Sequence, residues 1–477
     1  MNTNSSTPLF IDLDGTLIKS DMLIESVFTL LKQKPAYILS LPGWLLKGKA
    51  YLKHQIASRI DFDPALLPYN ESLLDYLKVE AGKNREIILA TASNEKLAKR
   101  IATFTGLFTD TIASDQNINL SGKRKLSRIQ DYTQNTEFAY AGNSKKDMPV
   151  WQEAAEVIIV NPEAGVENQA KNLGKPSQVF TETPSSIKSY LKAMRIHQWA
   201  KNVLLFLPIL AAHKINEPNL MLDALIAFFA FGLCASSVYL LNDMLDLPSD
   251  RTHHTKKFRP LAAGTINTVH ATLMIPILLL FSFSLTAFLP VAFLIVLSGY
   301  YITTVLYSFF LKKQVIVDVL LLASLYTVRV VAGSAATGIF PSFWLLAFSM
   351  FIFLSLAIVK RCAELYTLRQ SNDNKAKGRG YQSTDMEFLY SMGTSSGYIA
   401  VLVIALYINS EKVLTFYSQP IILWLLCPLL LYWISRVWLK TGRGEMNEDP
   451  VVFAFRDWQS RLIALVAAVI FTLANLF

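Results

Sequence analysis

The stretch Asn242-Asp243-Met244-Leu245-Asp246-Leu247-Pro248-Ser249-Asp250-Arg251 stands where a long apolar run gives way to polar sequence. Four of its side chains carry oxygen ligands, and offsets of one, three and four residues place them on one face of a helix or helical turn. Grouped carboxylates and amides suit Mg²⁺, which commonly shares its ligands with substrate phosphates. The candidate metal ligands are Asn242, Asp243, Asp246 and Asp250.

Basic residues follow this Asp-rich segment (residues 242–251) at once: His253, Lys256, Lys257 and Arg259. Metal ligands beside cations predict a diphosphate-binding site at a membrane surface. The alternative is a solvated, charged loop that merely follows a transmembrane helix.

The chain of 477 residues is too long for one ordinary domain, and its apolar residues are unevenly spread. Residues 1 to about 195 read as mixed soluble sequence, whereas apolar runs near twenty residues long recur from about residue 202 onward. Such runs predict membrane-spanning helices. We therefore expect a soluble domain at 1–181, a linker at 182–188 and an all-α membrane domain at 189–477.

The net charge of +9 does not indicate a nucleic-acid partner, because many of the basic residues lie in short loops between apolar runs. The three cysteines show no metal or redox spacing. The N-terminus lacks the basic and apolar regions of a signal peptide, so we expect the soluble domain to be cytoplasmic.

Short apolar runs in the soluble part, at 9–11, 86–90, 138–141 and 157–160, alternate with helical patterns. This alternation predicts an α/β fold with a doubly wound parallel sheet. Residues from about 20 to 80 read as a largely helical insertion.

Polar clusters follow three of these strands. They are Asp12-Leu13-Asp14-Gly15-Thr16, Thr91-Ala92-Ser93 and Gly142-Asn143-Ser144-Lys145-Lys146-Asp147, with Ser121-Gly122-Lys123-Arg124-Lys125 before the third strand. Together they resemble the haloacid dehalogenase superfamily of phosphohydrolases over about residues 7–181. The helical insertion then corresponds to that family's small cap.

The resemblance implies a role for each cluster. Asp12 would be the nucleophile, and Asp14 the acid that protonates the leaving oxygen and then activates water. Thr91 would hydrogen-bond the phosphoryl group, and Lys125 (with Lys123 as the alternative) would neutralise its charge. Mg²⁺ would be held by Asp12, Asp14, Asn143 and Asp147, where the backbone carbonyl of Asp14 is the ligand. The family usually has Asp in place of Asn143, so a weak or inactive phosphatase with a regulatory or docking role stays an alternative.

Residues 41–53 of the cap mix aromatic residues with Lys. This composition suits contact with anionic lipid or with a lipid-linked substrate. An ordinary amphipathic cap helix is the alternative.

Nine apolar segments are expected to cross the membrane: 200–213, 220–241, 270–288, 290–311, 315–338, 342–360, 394–409, 419–439 and 460–476. Most Lys and Arg lie in the loops after the even-numbered segments. By the positive-inside rule the N-terminus is then cytoplasmic and the C-terminus outside. The expected location is a bacterial-type inner membrane.

Charged residues in or near the spans indicate function, because they are costly in a bilayer. Asp318, Tyr326 and Arg329 share a helical face, and Lys360, Arg361 and Glu364 end the sixth segment. Asp318 is a candidate partner of the Asp-rich segment. A structural ion pair with Arg329 or Lys312 is the alternative.

Nine segments with the Asp-rich segment after the second resemble the UbiA superfamily of intramembrane prenyltransferases over about 189–477. The subgroup motifs resemble the polyprenyl-phosphate (decaprenyl-phosphate) phosphoribosyltransferase branch. They are Gln198-Trp199-x-Lys201-Asn202, Asp250-Arg251-x-His253-x-x-Lys256-x-x-Arg259, Arg329-x-x-x-Gly333, Lys360-Arg361-x-x-Glu364 and Asp449-Pro450. The second aspartate pair of aromatic prenyltransferases is absent, because Leu322 stands four residues after Asp318.

The branch implies Mg²⁺-dependent transfer of 5-phosphoribose from phosphoribosyl diphosphate to a polyprenyl phosphate. Asp243, Asp246, Asp250 and Asp318 would serve catalysis. Phosphate binding would fall to Lys201, Asn202, Lys256, Arg259, Lys312, Arg329, Lys360 and Arg361. The fusion adds the hypothesis that the soluble domain removes the 5-phosphate of the product. The alternative is prenyl transfer from a prenyl diphosphate to an aromatic or other acceptor, with the soluble domain regulatory or inactive.

Overall fold

The computed structural model describes residues 7–175, 177–181, 186–370, 380–446 and 449–476. The chain forms two compact units, Met1–Met194 with Tyr239–Pro276, and Arg195–Val238 with Ile277–Phe477. The Asp-rich segment therefore belongs to the same unit as the N-terminal sheet. Residues 182–185 of the expected linker lie outside the described residues, and the linear division at 182–188 stays a prediction.

The N-terminal unit contains a fully parallel sheet of six strands in the order β3-β2-β1-β4-β5-β6, which confirms the predicted doubly wound fold. The four strands expected from the sequence form the centre of this sheet. β3 and β6 were not predicted and form its two edges. The strands are β1 (Leu9–Ile11), β2 (Ile87–Asn94), β3 (Asp110–Ser114), β4 (Ala139–Gly142), β5 (Glu156–Val160) and β6 (Ser177–Phe180).

The strand order reverses beside β1, since β2 and β4 pair with its opposite edges. Ligands of doubly wound sheets bind at such a switch point, beyond the carboxyl ends of the strands. Asp12 follows β1 directly, Thr91 lies in β2, and Asn143 follows β4. The sheet topology thus brings three of the four polar clusters to one edge.

Helices cover the sheet and build the cap. The cap region contains α1 (Met22–Gln33), a 3₁₀ turn at Pro35–Leu39, α2 (Leu41–Leu46), α3 (Lys49–Ala57), a 3₁₀ turn at Pro64–Leu66 and α4 (Glu71–Gly82). Asp21 caps α1 by accepting a hydrogen bond from Ile24 N. After the cap region, the first 194 residues also contain α5 (Glu95–Thr105), α6 (Lys123–Thr133), α7 (Met148–Glu153), α8 (Val166–Lys171) and α9 (Ile187–Ala193).

Helices dominate the rest of the chain. After a 3₁₀ segment at Ile196–Phe206 come α10 (Leu207–Ala211), α11 (Pro218–Leu245), α12 (Leu247–Arg251), α13 (Thr268–Leu285), α14 (Val291–Phe309), α15 (Val317–Thr337), α16 (Phe343–Gln370), α17 (Met386–Ile408), α18 (Glu411–Phe416), α19 (Leu426–Gly442), α20 (Pro450–Arg456) and α21 (Trp458–Leu476).

Within the described residues, eight helices are long and apolar enough to cross a membrane. They correspond to the second through ninth of the nine expected segments. The first, at 200–213, is built instead from the 3₁₀ segment and the short α10. Pro208 contributes to this break, because it has no amide hydrogen to continue a helix from the preceding turn. The basic loop expected at 371–379 lies outside the described residues.

Candidate functional site

Lys125 lies at the centre of the polar clusters on the sheet. Its Nζ is 2.9 Å from Asp12 Oδ1 and 3.5 Å from Asp147 Oδ1. It also donates to the Tyr140 hydroxyl at 2.7 Å, and Tyr140 in turn donates to Asp147 Oδ1 at 2.8 Å. Of the two lysines considered, Lys125 is buried at Asp12, whereas Lys123 is exposed. Sequence reasoning missed Tyr140, because it read as an ordinary strand residue.

Asp14 is oriented by two donors. Met22 N, at the start of α1, donates to Oδ1 at 2.6 Å, and Ser93 Oγ donates to Oδ2 at 2.8 Å. Thr91 is buried in β2, and its Oγ1 accepts from Ser93 N at 2.9 Å. The Thr91 hydroxyl can still donate its hydrogen to a phosphoryl oxygen. Ser93 therefore connects Thr91 to Asp14, a positioning role that the sequence did not reveal.

The two aspartates of the first cluster have altered proton affinities. Burial raises the pKa of Asp12 to about 6, although Lys125 opposes the rise. Burial, assisted by the negative charges of Asp21 and Asp12, raises the pKa of Asp14 to about 7. A carboxyl group with a pKa near neutrality can donate a proton and then take one back, as a general acid and base must.

Asn143 and Asp147 differ in what their side chains contact. A Cβ on Gly15 would lie 2.1 Å from Asn143 Nδ2, so the amide packs directly on the loop that carries Asp12 and Asp14. Asp147 Oδ2 accepts from Asn143 N, Ser144 N and Ser144 Oγ at 3.0–3.2 Å. This arrangement favours a positioning role for Asp147 over direct metal ligation. A carboxylate on Asp12, a main-chain carbonyl on Asp14 and the Asn143 amide form an oxygen donor set that fits Mg²⁺.

Lys53 enters this site from the cap. Its Nζ donates to the carbonyl of Ala92 at 2.6 Å and to Asn119 Oδ1 at 2.9 Å. Burial lowers the pKa of Lys53, whereas the charges of Asp14 and Asp21 act in the opposite direction. Sequence reasoning placed Lys53 in a lipid-contact or amphipathic stretch. The structure directs its Nζ to the carbonyl of Ala92, next to Thr91 and Ser93 in β2.

The Asp-rich segment divides into two parts. Asp243 at the end of α11 and Asp250 in α12 converge on one nitrogen of Arg259, at 3.2 and 2.6 Å. Asp246 lies between the helices, and its Oδ1 is 3.1 Å from Lys32 Nζ. Asn242 is half-buried near the end of α11. The helix break at Asp246 thus separates it from the Asp243–Asp250 pair.

The acidic pair satisfies part of what a hard cation requires. Two buried carboxylates meet at one cationic atom, and Mg²⁺ usually takes one or two carboxylates together with substrate phosphates and water. Across the described ranges, no three His, Cys, Asp or Glu side chains are gathered as a protein-only metal site would need. The donors therefore fit a metal shared with a substrate.

Arg251, next to Asp250, forms a second buried pair. Its guanidinium donates to the two carboxylate oxygens of Glu25 in α1 at 2.6 and 2.9 Å. It also donates to the carbonyls of Leu66 and Ala262 at 3.0 and 3.3 Å. The side chains of Arg251 and Glu25 are 8% and 7% exposed. Within this unit, Arg251 therefore ties the Asp-rich segment to the cap region.

Asp449 gathers two of the predicted phosphate-binding cations in the other unit. Its Oδ2 is 2.6 Å from Lys201 Nζ and 3.3 Å from Lys360 Nζ. The hydroxyl of Tyr326 donates to both of its oxygens at 3.2 and 3.3 Å. Asp449 was quoted as part of a motif but was not among the predicted site residues.

Arg329 is buried in α15 and faces aromatic rings of Phe231, Tyr300 and Tyr326. Its Nε donates to Asn202 Oδ1 at 3.2 Å. One turn later, a Cβ on Gly333 would lie 2.0 Å from the carbonyl oxygen of Leu205. The Arg-x-x-x-Gly motif therefore serves close packing of α15 on the 3₁₀ segment, and this packing holds Arg329 at Asn202.

Asp318 is fully buried and pairs with Arg361 through both oxygens. The hydroxyl of Tyr307 donates to Asp318 Oδ1 at 2.6 Å, and Arg361 Nη1 donates to Glu364 Oε2 at 2.6 Å. A structural ion pair of Asp318 is thus present, and Arg361 is a partner in it. Asp318 orients Arg361, because the two planar groups bond side by side.

Lys256 and Lys312, the remaining predicted cations, lie on short 3₁₀ turns at Lys256–Phe258 and Leu311–Lys313. Both side chains are half-buried.

A parallel sheet with paired carboxylates and a buried lysine at one edge is joined in one chain to eight candidate membrane spans among the described residues, and this combination defines the class of a membrane protein with an added α/β domain. The model of the UbiA prenyltransferase family matches residues 203–459, more than half of the chain. The chain belongs to the UbiA prenyltransferase family.

Curated relatives extend this likeness. An uncharacterised protein of Sinorhizobium fredii is 34% identical over 98% of this chain and 91% of its own. Nodulation protein NoeC of Azorhizobium caulinodans is 31% identical over 58% of this chain and 90% of its own. Decaprenyl-phosphate phosphoribosyltransferase of Mycobacterium tuberculosis is 33% identical over 46% of this chain and 74% of its own.

Proposed function

We propose that this protein is a bifunctional membrane enzyme. Its UbiA domain transfers 5-phosphoribose from phosphoribosyl diphosphate to a polyprenyl phosphate, and its N-terminal domain then removes the 5-phosphate. The observation that carries this proposal is the union in one chain of two parts. One is a domain similar to decaprenyl-phosphate phosphoribosyltransferase, and the other is a site in which Lys125 and Ser93 hold Asp12 and Asp14.

In the phosphatase step, the Asp12 carboxylate attacks phosphorus, and the ribose 5-oxygen leaves with a proton from Asp14. Asp14 then takes a proton from the water that cleaves the aspartyl-phosphate, and inorganic phosphate is released. Lys125 offsets the charge of the phosphoryl group beside Asp12, while Thr91 donates to one of its oxygens. Mg²⁺ bound by Asp12, the Asp14 carbonyl and Asn143 would further neutralise the phosphoryl oxygens.

In the transferase step, an oxygen of the prenyl phosphate attacks the anomeric carbon, and the bond from that carbon to the diphosphate breaks. Mg²⁺ at Asp243 and Asp250, with Asn242 and Asp246 nearby in the segment, would stabilise the departing diphosphate. Phosphoryl groups of donor and acceptor would bind the cations. These are Lys201, Arg329, Lys360 and Arg361, together with Lys256, Arg259 and Lys312.

Within the UbiA domain, two acidic residues position these cations. Asp449 holds Lys201 and Lys360 on one oxygen, and Asp318 holds Arg361. Such preorganisation lets charge develop on a leaving diphosphate without large rearrangement of the protein.

The proposed orientation places the N-terminal domain in the cytoplasm and the C-terminus outside. The distribution of basic loops supports it. Nine crossings would require Ile196–Ala211 to span the bilayer. At about 2.0 Å per residue in 3₁₀ winding and 1.5 Å in α winding, this stretch is about 30 Å long, near the thickness of the hydrocarbon core.

The test is to incubate the purified chain with labelled phosphoribosyl diphosphate, a polyprenyl phosphate and Mg²⁺, and to analyse the extracted lipid. The wild type should yield a prenyl-phosphoryl ribose without the 5-phosphate. Asp12→Asn should accumulate the 5-phosphorylated lipid, and Asp243→Asn should yield neither. Asp110→Asn, at an exposed site on edge strand β3, is the matched control. Finding only the 5-phosphorylated lipid with the wild type would contradict the phosphatase assignment.

A second candidate is a prenyltransferase that uses a prenyl diphosphate and carries an inactive or regulatory N-terminal domain. Asn143 favours it, because a neutral amide binds Mg²⁺ more weakly than a carboxylate. Labelled product from prenyl diphosphate, with none from phosphoribosyl diphosphate, would select this candidate.

A further inference from the structure

The cap carries large apolar side chains that are exposed on its surface. Ile38 and Leu39 end the 3₁₀ turn after α1, and Leu45 and Leu46 end α2. Their exposed fractions are 53%, 85%, 51% and 89%. We call these four residues the cap patch. Four large, exposed apolar side chains on two consecutive short helical elements mark a surface that binds something else.

The chain segment that carries the cap patch has charges of one sign. Residues 26–60 contain six Lys or Arg and no Asp or Glu. Lys47 and Lys49 follow the patch directly, and both are exposed. Apolar side chains flanked by cations suit the interfacial region of a bilayer that contains anionic lipid, where the leucines enter the acyl boundary and the cations meet phosphates.

An aromatic stack connects the two elements that carry the patch. The rings of Tyr37 and Trp44 pack at 5.5 Å, and the Arg59 guanidinium covers both, at 5.6 and 4.9 Å from their centroids. This stack joins the 3₁₀ turn to α2, so the four apolar side chains are held together. A preformed surface of this kind binds without a large ordering cost.

The ends of α1 place the patch near the membrane. Asp21 N donates to Thr268 Oγ1 at 3.1 Å, and Thr268 is the first residue of a candidate span. Lys32, in the last turn, is 3.1 Å from Asp246, which directly follows another candidate span. α1 therefore runs between points where two spans end. The turn that carries Ile38 and Leu39 begins three residues after Lys32.

We propose that the cap patch inserts into the lipid headgroup region of the membrane that the chain spans. α3 then links this surface to the phosphatase site, since it carries Lys49 beside the patch and Lys53 at the Ala92 carbonyl. This membrane contact, which rests on the proposed function, implies that the phosphatase substrate is a lipid-anchored phosphate ester. Its prenyl chain stays in the bilayer while the phosphorylated sugar enters between Lys53 and Asp12.

Depth measurement tests the membrane contact by itself. A Leu46→Cys variant of the full chain is labelled with an environment-sensitive fluorophore and reconstituted in vesicles of anionic and zwitterionic lipid. The native cysteines at 234, 362 and 427 are buried. Val79→Cys, on α4 and 57% exposed, is the control. We expect a blue-shifted emission at position 46, stronger in anionic vesicles and quenched by nitroxides near the headgroups. The label at position 79 should show the emission of a water-exposed fluorophore in both vesicle types.

Activity then tests the consequence for the substrate. Replacing Leu39 and Leu46 by Asp should lower dephosphorylation of the lipid-linked substrate in vesicles at least about tenfold, the effect expected for losing one buried leucine. Hydrolysis of soluble p-nitrophenyl phosphate should not change.

A label at position 46 that stays in water in both vesicle types would overturn the inference. Equal loss of activity on both substrates would assign the leucines to folding and overturn it as well. A membrane-inserted label in a chain that hydrolyses neither phosphate ester would keep the membrane contact and reject the proposed phosphatase function.

Discussion

Exchanging Arg251 for methionine should loosen the Asp-rich segment while leaving the N-terminal sheet intact. The change removes two bonds to Glu25 and two to main-chain carbonyls, and it leaves a carboxylate that is only 7% exposed without its partner. Breaking a buried pair in this way costs about 3–5 kcal/mol. At about 1.4 kcal/mol per tenfold, local opening should become roughly a hundredfold to several thousandfold more frequent.

Hydrogen exchange followed by mass spectrometry measures this opening on peptides that cover residues 246–264. Lys171→Met is the matched control, because Lys171 and Glu167 pair at 2.7 Å but are 48% and 38% exposed. An exposed pair contributes at most about 1 kcal/mol, so its local exchange should change little.

A double-mutant cycle decides whether the effect comes from the pair. Glu25→Gln and Arg251→Met should each accelerate exchange. The loss of local opening free energy in the double variant should be about 1–3 kcal/mol smaller than the sum of the losses in the two single variants. Fully additive losses of opening free energy would refute the role of the Glu25–Arg251 pair. Acceleration of exchange by Arg251→Met that is no larger than that by Lys171→Met would refute it as well.

Three further outcomes are expected. Lys53→Met should lower kcat/KM for phosphate release by about tenfold to a hundredfold through loss of a charged contact, whereas Lys96→Met, at an exposed position, should not. Asn143→Asp should lower the Mg²⁺ concentration that gives half-maximal phosphate release, and an unchanged value would remove Asn143 from the metal site. Gly333→Ala should abolish transfer or folding because its Cβ would lie 2.0 Å from the Leu205 carbonyl oxygen, while Gly299→Ala, with nothing within 4 Å, should be tolerated in the same thermal-stability and activity assays.

The sequence predicted the strands that are buried on both faces and missed those at the edges. β1, β4 and most of β5 are fully buried, so they read as short apolar runs. β3 and β6 expose much of their length, because no strand covers their outer edge. Their polar residues therefore conceal the strand pattern, and only the pairing with β2 and β5 shows it.

The residues that meet in the candidate site could be proposed from sequence where each belongs to one local motif. Asp12, Asp14, Thr91 and Lys125 each follow a recognisable strand or open a helix. Tyr140 and Lys53 were not predictable, since their contacts depend on side chains and carbonyls brought together by tertiary packing. The contact between Asp318 and Arg361 was not predicted for the same reason, because Arg361 lies on a different helix, 43 residues away in sequence.

The Glu25–Arg251 pair joins residues 226 positions apart. It therefore determines which variants can test the two proposed activities separately. Deleting the N-terminal domain removes Glu25 and the Leu66 carbonyl, so that of these contacts the Arg251 guanidinium keeps only the Ala262 carbonyl. The Asp-rich segment then loses the buried pair that ties it to the cap region. Loss of transfer in a truncated chain would therefore show only that the Asp-rich segment had lost its support. Asp12→Asn keeps every contact of Arg251, so it alone tests whether transfer depends on phosphate removal.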